Sequence, residues 1–210
     1  MIRILIADDH EMFREGIKRI CEDNPEIVVA DEAGNGSEVL DKVTQHEYDM
    51  LILDIAMPGM SGLDTLKQLK AVKPKLQVLV LSMYPEDEYA IRAIKAGASG
   101  YLTKAKASHE LMEAIKKVST GGNYIDASVA EKLLFDTNTG SSKPLHETLS
   151  NREYQIFSMV VKGEKVGEIA DELSLSVKTV STYKVRILNK MEMKSTAELV
   201  KYAVEHKLML

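Results

Sequence analysis

The chain has one cysteine, Cys21, among 210 residues, so no intramolecular disulfide can form and a reducing cytoplasm is the expected setting. No apolar run approaches the ~18–20 residues that a membrane-spanning helix needs, and no membrane partner is expected. The N-terminus, MIRILIADD, lacks the basic start and cleavage site of a signal peptide and reads directly as a strand. No long internal repeat is visible, and the one biased tract is the polar stretch DTNTGSSKPLHE at 136–147. Acidic residues are missing from 176–190, which carries Lys178, Lys184, Arg186 and Lys190.

What is present is ordinary for a soluble globular chain: 45% hydrophobic and 28% charged residues, enough for one large domain or two small ones. The net charge of −5 is unevenly spread. Residues 1–148 hold 17 Lys/Arg against 24 Asp/Glu, whereas 149–210 hold 10 against 8. An acidic first part beside a locally basic second part implies two domains, one of which meets an anion that charge alone does not name.

Short apolar runs at 2–7, 27–33, 50–53, 77–82 and 100–103 alternate with helical patterns at 11–22, 36–46, 62–72, 86–96 and 107–119. Ser37 and Ser61 are candidate helix starts, and Gly97 and Gly121 candidate stops. Five βα units without a hairpin signal predict a doubly wound, flavodoxin-like parallel sheet with functional residues just after its strands. A short helix at 126–135 and the polar tract make up a linker, 121–148. Four further helices follow at 150–162, 166–173, 177–191 and 195–206, broken at Gly163, Leu175-Ser176 and Met193-Lys194, which predicts a small all-α domain.

Asp8 and Asp9 follow the first strand, Asp54 the third, Ser82 closes the fourth, and Lys104 lies just past the fifth. Three carboxylates at one sheet edge repel one another unless a cation intervenes, and a hard Mg²⁺ held by Asp8, Asp9, Asp54 and the backbone carbonyl of Ala56 suits them. Met57-Pro58-Gly59 and Gly62 fit the tight loop such a carbonyl needs. Asp54 can then attack a phosphorus while Lys104 and the Ser82 hydroxyl stabilise the charged oxygens. His10 reads as a surface or helix-start residue.

These segments, LIADDH, LILDIAMPGMSG, VLVLSMY and GYLTKA, closely resemble the receiver domain of two-component response regulators over residues 1–120. The resemblance implies that Asp54 is the phosphoacceptor, that Asp8 and Asp9 sit in the metal pocket, and that Ser82 and Tyr101 form a switch pair in which the hydroxyl moves inward and the ring turns in behind it. It also implies no enzyme beyond Mg²⁺-dependent self-phosphorylation and self-dephosphorylation at Asp54. Receivers often have proline after the lysine; Ala105 stands there instead, which leaves the geometry of the 104–105 bond open.

Residues 149–208 resemble the helix-turn-helix of NarL/FixJ (LuxR-type) regulators. Ile169, Ala170, Leu173, Val177, Val180, Ile187 and Leu188 give an apolar face for two helices across a short turn, with Ser176 as N-cap of the second. Lys178, Thr179, Ser181, Thr182, Lys184, Val185 and Arg186 face outward, a set suited to a major groove. Ser181 and Tyr183 stand where lysine and histidine are frequent in the family, which implies fewer phosphate contacts there. Arg152-Glu153 are expected to pair internally, and the last helix is a candidate dimer surface. The partners implied are a sensor histidine kinase, double-stranded promoter DNA, RNA polymerase and, on activation, a second copy of the chain. Two rivals stay open. A haloacid-dehalogenase-type hydrolase uses similar groups but places its nucleophile first and its acid pair last, the reverse of Asp8-Asp9 and Asp54. A vestigial receiver on a phosphorylation-independent DNA-binding protein is excluded only by labelling.

Overall fold

The computed structural model describes residues 1–84, 86–136 and 144–208. It divides into two compact units, Met1–Thr137 and Asn138–Leu210. The first contains β1 (Ile2–Ala7), α1 (Glu11–Glu22), β2 (Ile27–Ala33), α2 (Gly36–Gln45), β3 (Met50–Leu53), α3 (Gly62–Val72), β4 (Gln77–Ser82), α4 (Glu86–Lys95), β5 (Gly100–Thr103), α5 (Ala107–Ser119) and α6 (Ala127–Asp136). All strand pairs are parallel, in the order β2-β1-β3-β4-β5. Each element ends within one residue of the bounds read from the sequence.

The strands read as apolar runs because both faces of the sheet are covered. Ile4, Ile6, Met50, Ile52, Leu79, Leu81 and Leu102 face α1 and α5, where Ile17, Cys21, Leu111, Ile115 and Val118 complete one core layer. Their buried neighbours Leu5, Leu51, Leu53, Val78 and Val80 alternate to the other face. Burial pushes the Cys21 thiol up to about 11, so it acts as a small core hydrophobe. Gly97 and Gly121 stop their helices with positive φ, as expected, and Ser61 caps α3. The start of α2 needs a correction: Asn35, not Ser37, caps it, its side chain accepting from the Glu38 amide at 3.0 Å.

After α5 the chain returns to the sheet. The Tyr124 amide donates to the Ser99 carbonyl (3.0 Å), and the Tyr124 carbonyl accepts from the Tyr101 amide (2.9 Å), forming a parallel bridge beside β5. Helix α6 packs on α4. Residues 121–136, part of the expected linker, thus sit with the first unit; the middle of the polar tract, 137–143, lies outside the described residues.

The second unit holds a 3₁₀ turn (Leu145–Thr148) and helices α7 (Asn151–Val161), α8 (Val166–Glu172), α9 (Val177–Lys190) and α10 (Thr196–Glu205). The 3₁₀ turn falls in the tract read as linker. It buries His146, whose Nδ1 lies 3.0 Å from the Tyr202 hydroxyl on α10. Ile156, Phe157, Ile169, Leu173, Val180, Ile187 and Leu199 form the core. Ser150, Ser176 and Ser195 cap α7, α9 and α10.

Gly62 opens α3 hard against the end of β3. A Cβ there would stand 2.1 Å from the Asp54 carbonyl oxygen and 2.7 Å from Ile55 Cα. Gly62→Ala is expected to cost the upper part of the ~1–3 kcal/mol typical of overpacking. Gly59→Ala meets open space and bears only the positive-φ cost of about 1–2 kcal/mol. Urea unfolding of both variants checks the order; equal stabilities would contradict the close approach.

Candidate functional site

Backbone hydrogen bonds carry the sheet past its formal ends and bring the expected residues together. The Asp8 amide donates to Ala33 (3.0 Å), Asp54 to Ala7 (2.8 Å) and Lys104 to Ser82 (2.8 Å). Asp8, Asp54, Ser82 and Lys104 therefore stand side by side at the carboxyl edge, where a doubly wound sheet binds its ligands. Asp8 and Asp54 are buried, at 2% and 1% exposure, whereas the side chain of Asp9 is one-third exposed.

One ammonium holds the two buried acids. Lys104 Nζ lies 2.6 Å from Asp8 Oδ2 and 2.7 Å from Asp54 Oδ2, and 4.5 Å from the centre of the Phe13 ring. The second Asp54 oxygen accepts from the Ala56 amide (3.1 Å), and Asp8 Oδ1 accepts from the His10 amide (2.8 Å). Burial, with the neighbouring Asp8, holds the Asp54 carboxyl above its ordinary value against the pull of Lys104 and the Ala56 amide. Burial lowers the Lys104 ammonium too, but Asp54 and Asp8 more than offset it, and it stays above its ordinary value. His10 starts α1 as read, and its ring Nδ1 also reaches Asp8 (3.1 Å) and Asp9 (2.9 Å). Ligand atoms of Asp8, Asp9, His10 and Asp54 lie within 4.8 Å of one another. Two buried hard-oxygen donors with a third facing solvent fit a cation that keeps some of its waters. No described peptide bond is cis, so Lys104–Ala105 is trans.

Ser82 is fully buried, and its Oγ accepts from the Tyr84 amide at 3.1 Å. The Tyr101 ring is also buried and donates its hydroxyl to the Tyr84 carbonyl at 2.9 Å. Tyr84 thus ties the expected switch pair together by its two backbone groups, and its ring stacks on Tyr89 of α4 at 4.4 Å. Tyr84 has no signal in the sequence, because a tyrosine two residues past a strand fits no pattern of its own.

In the second unit α8 and α9 meet across a turn made by Ser174 in a left-handed conformation and closed by the Leu175 amide on the Ala170 carbonyl (2.8 Å). Val180 and Ile187 anchor α9. Lys178, Ser181, Thr182, Val185 and Arg186 are exposed, and Thr179 and Lys184 half-buried. Lys178, Ser181, Thr182 and Val185 share one stripe by helical spacing. Thr182 donates to the Lys178 carbonyl (2.9 Å), and Thr179 is bonded to the Ser176 cap (2.7 Å), so both hydroxyls are already engaged. Arg152 and Glu153 do turn inward, with partners the sequence did not indicate. Arg152 donates to Gln155 (2.6 Å) and the Leu173 carbonyl (3.1 Å), and Glu153 pairs with Lys190 of α9 (2.6 Å).

A doubly wound sheet with a lysine shared by two buried aspartates at its carboxyl edge, and a basic helix-turn-helix in the same chain, defines a class of signalling protein. The comparisons agree: residues 4–116 match the response regulator receiver domain, and residues 147–203 the bacterial regulatory proteins of the luxR family. The response regulator GacA of Pseudomonas protegens is 38% identical over 98% of this chain and 97% of its own. The oxygen regulatory protein NreC of Staphylococcus carnosus is also 38% identical, over 99% of both chains. The solved complex of the two-component response regulator RcsB with DNA is 25% identical, covers 97% of this chain and 98% of that chain, and superposes with a TM-score of 0.59. The chain belongs to the response regulators with a LuxR-type DNA-binding domain, the NarL/FixJ family.

The Glu153–Lys190 pair has a pH signature. Burial raises the Glu153 carboxyl, but Lys190 and the Ser150 amide outweigh it and hold it below its ordinary 4.5. A depressed carboxylate stabilises fully above its unfolded value, and this contribution is lost as pH falls through the folded one. Glu153→Gln is therefore expected to destabilise the second unit at neutral pH and to converge with the parent chain as pH falls below 4.5 and on through the lowered folded value. Urea unfolding across that range checks it; a constant difference at every pH would exclude the pair as the cause.

Proposed function

We propose that the chain is a cytoplasmic, phosphorylation-controlled transcription regulator. A sensor histidine kinase phosphorylates Asp54 in a receiver spanning 1–120. The domain at 149–210, joined through 121–148, then binds double-stranded promoter DNA as a homodimer, with RNA polymerase a further partner of the bound form. The observation that carries this reading is the Lys104 ammonium shared by Asp8 and Asp54 in a chain that also presents an acid-free exposed helix face.

An Asp54 oxygen forms the bond to phosphorus as the donor's N–P bond breaks, and the departing imidazole nitrogen takes up a proton. Lys104 turns its ammonium from the carboxylates to the phosphoryl oxygens, and the Ser82 hydroxyl turns from the Tyr84 amide to meet them. Asp8, Asp9, Asp54 and the Ala56 carbonyl are the residues that would hold Mg²⁺, which when bound neutralises the carboxylates and the phosphoryl charge. Attack of water on the aspartyl phosphate later restores Asp54 and releases phosphate. When Ser82 lets go of the Tyr84 amide, the support under the Tyr101 hydroxyl shifts with it, and the Tyr101 amide is bonded to Tyr124, at the head of the segment leading to α6. Phosphorylation thereby reaches the linker and favours the DNA-binding dimer.

Acetyl phosphate with Mg²⁺ is expected to add the mass of one phosphoryl group to the full chain and to tighten DNA binding. Asp54→Asn should abolish both, as intact-mass measurement and anisotropy would show. Unchanged labelling of Asp54→Asn would remove the assignment, and labelling without any change in DNA affinity or oligomeric mass would favour a vestigial receiver.

On DNA, Lys178, Lys184 and Arg186 neutralise phosphates, while Ser181, Thr182, Thr179 and Val185 lie nearer the bases. With its hydroxyl donated to the Lys178 carbonyl, Thr182 reads by accepting or through its methyl, and Val185 offers an apolar contact to a thymine methyl. Lys184→Ala is expected to weaken all sequences alike and to flatten the log K versus log salt slope by about 0.9. Val185→Ala should instead alter sequence preference. A Lys184→Ala chain with unchanged slope and affinity would overturn this docking.

A further inference from the structure

We infer that Arg14 is a positioning residue for the acid pocket, clamping the Asp8–His10 loop to β2 so that Asp8 and Asp9 are held ready for the cation. The inference rests on the proposed cation site. Arg14 lies on the first turn of α1, four residues past its His10 N-cap, whose side chain makes no capping bond. Its Nη1 donates to the backbone carbonyl of Asp8 at 2.7 Å, and its Nε donates to Glu32 Oε2 at 2.7 Å. The side chain is largely buried, at 18% exposure. Glu32 is steadied in turn by Lys18 Nζ on its other oxygen, at 2.7 Å.

Both backbone groups of Asp8 are therefore fastened to β2. The amide bonds directly to the Ala33 carbonyl, and the carbonyl is reached through Arg14 to the preceding residue, Glu32. The Asp8 side chain is then set by Lys104 on one oxygen and the His10 amide on the other. Asp9 has no strand to hold it, so its place depends on the backbone conformation of the loop that Arg14 fixes. A guanidinium suits the task because it donates from separate nitrogens in a rigid fork, whereas an ammonium donates from one atom and needs every acceptor within reach of that atom. The guanidinium bonds the Asp8 backbone carbonyl, so it orders the pocket carboxylates without competing for their oxygens.

Groups that orient metal ligands typically change metal affinity 10–100-fold when removed. In the full-length chain, isothermal titration with Mg²⁺ should give Arg14→Ala a Kd about tenfold weaker than the parent, measured where the variant is still folded in EDTA. Arg14→Lys should fall between the two. Lys18→Met is the charge control: it removes the same unit of charge from the same Glu32 but leaves the Asp8 carbonyl bonded, and should bind as the parent does. If Arg14→Ala does not fold, Arg14→Lys against Lys18→Met carries the test. A parent chain that binds Mg²⁺ and is labelled on Asp54 beside an Arg14 variant of equal Kd would overturn this inference alone. Equal weakening by Lys18→Met would trace the effect to Glu32, which both cations hold, rather than to the Asp8 carbonyl, and would overturn it as well; loss of positive charge alone would instead tighten Mg²⁺ binding. A parent chain that takes up no Mg²⁺ would overturn the cation site on which it stands.

Discussion

A single ammonium group between two buried carboxylates sets the terms for the first unit. Each charge removed from water costs several kcal/mol, and the Asp8–Lys104–Asp54 arrangement leaves one acid in excess. Such a cluster persists only where the backbone fixes it, and the sheet does so. β1 and β3 are neighbours, so Asp8 and Asp54 fall side by side. β5 is not a neighbour of β3, and Lys104 must reach across the end of β4, over Ser82, to touch Asp54. That span requires a long side chain with a compact charge at its tip.

The elements were legible because the sheet is covered on both faces and the helices are amphipathic, so the periodicities stand out unmixed. The pocket was legible for a related reason: every candidate residue ends or directly follows a strand, and parallel order brings strand ends together. What stayed hidden has no local pattern. Asn35 and Ser37 are both good capping residues two positions apart, and only the observed start of α2 selects Asn35. Arg14 reads as an exposed helix cation until the Asp8 carbonyl is seen beneath it. His146 sits in a tract of serine, glycine and proline whose composition signals a linker, yet it is packed on Tyr202, 56 residues away. The Glu153–Lys190 pair spans 37 residues in the same way.

The second unit uses its charges unequally. Of the four cations between 176 and 190, Lys190 is turned to the buried Glu153 and helps fix α9 against α7, whereas Lys178, Lys184 and Arg186 have no carboxylate partner among the described residues. Arg186 also lies 5.8 Å from the centre of the Tyr183 ring, where histidine is frequent in the family. The aromatic ring thus offers a ledge for an arginine in place of a further polar contact. Helix orientation comes from core residues and the inward pair, so outward substitutions can change what the helix reads without loosening how it is held.

The bridge at Tyr124 bears on where the first unit ends. An exposed edge strand is a template for other strands. Here Tyr124 occupies the flank of β5, bonded to Ser99 and Tyr101, its hydroxyl on Glu110 at 2.8 Å. A fragment cut after Ser119 would strip that cover, leaving the Tyr101 amide and the Ser99 carbonyl without these partners and β5 open to pairing between molecules. A fragment carried through Asp136 keeps that bridge. The smallest piece fit to be handled on its own therefore extends well past the fifth βα unit, and a shorter fragment that aggregates would be reporting its boundary rather than its biology.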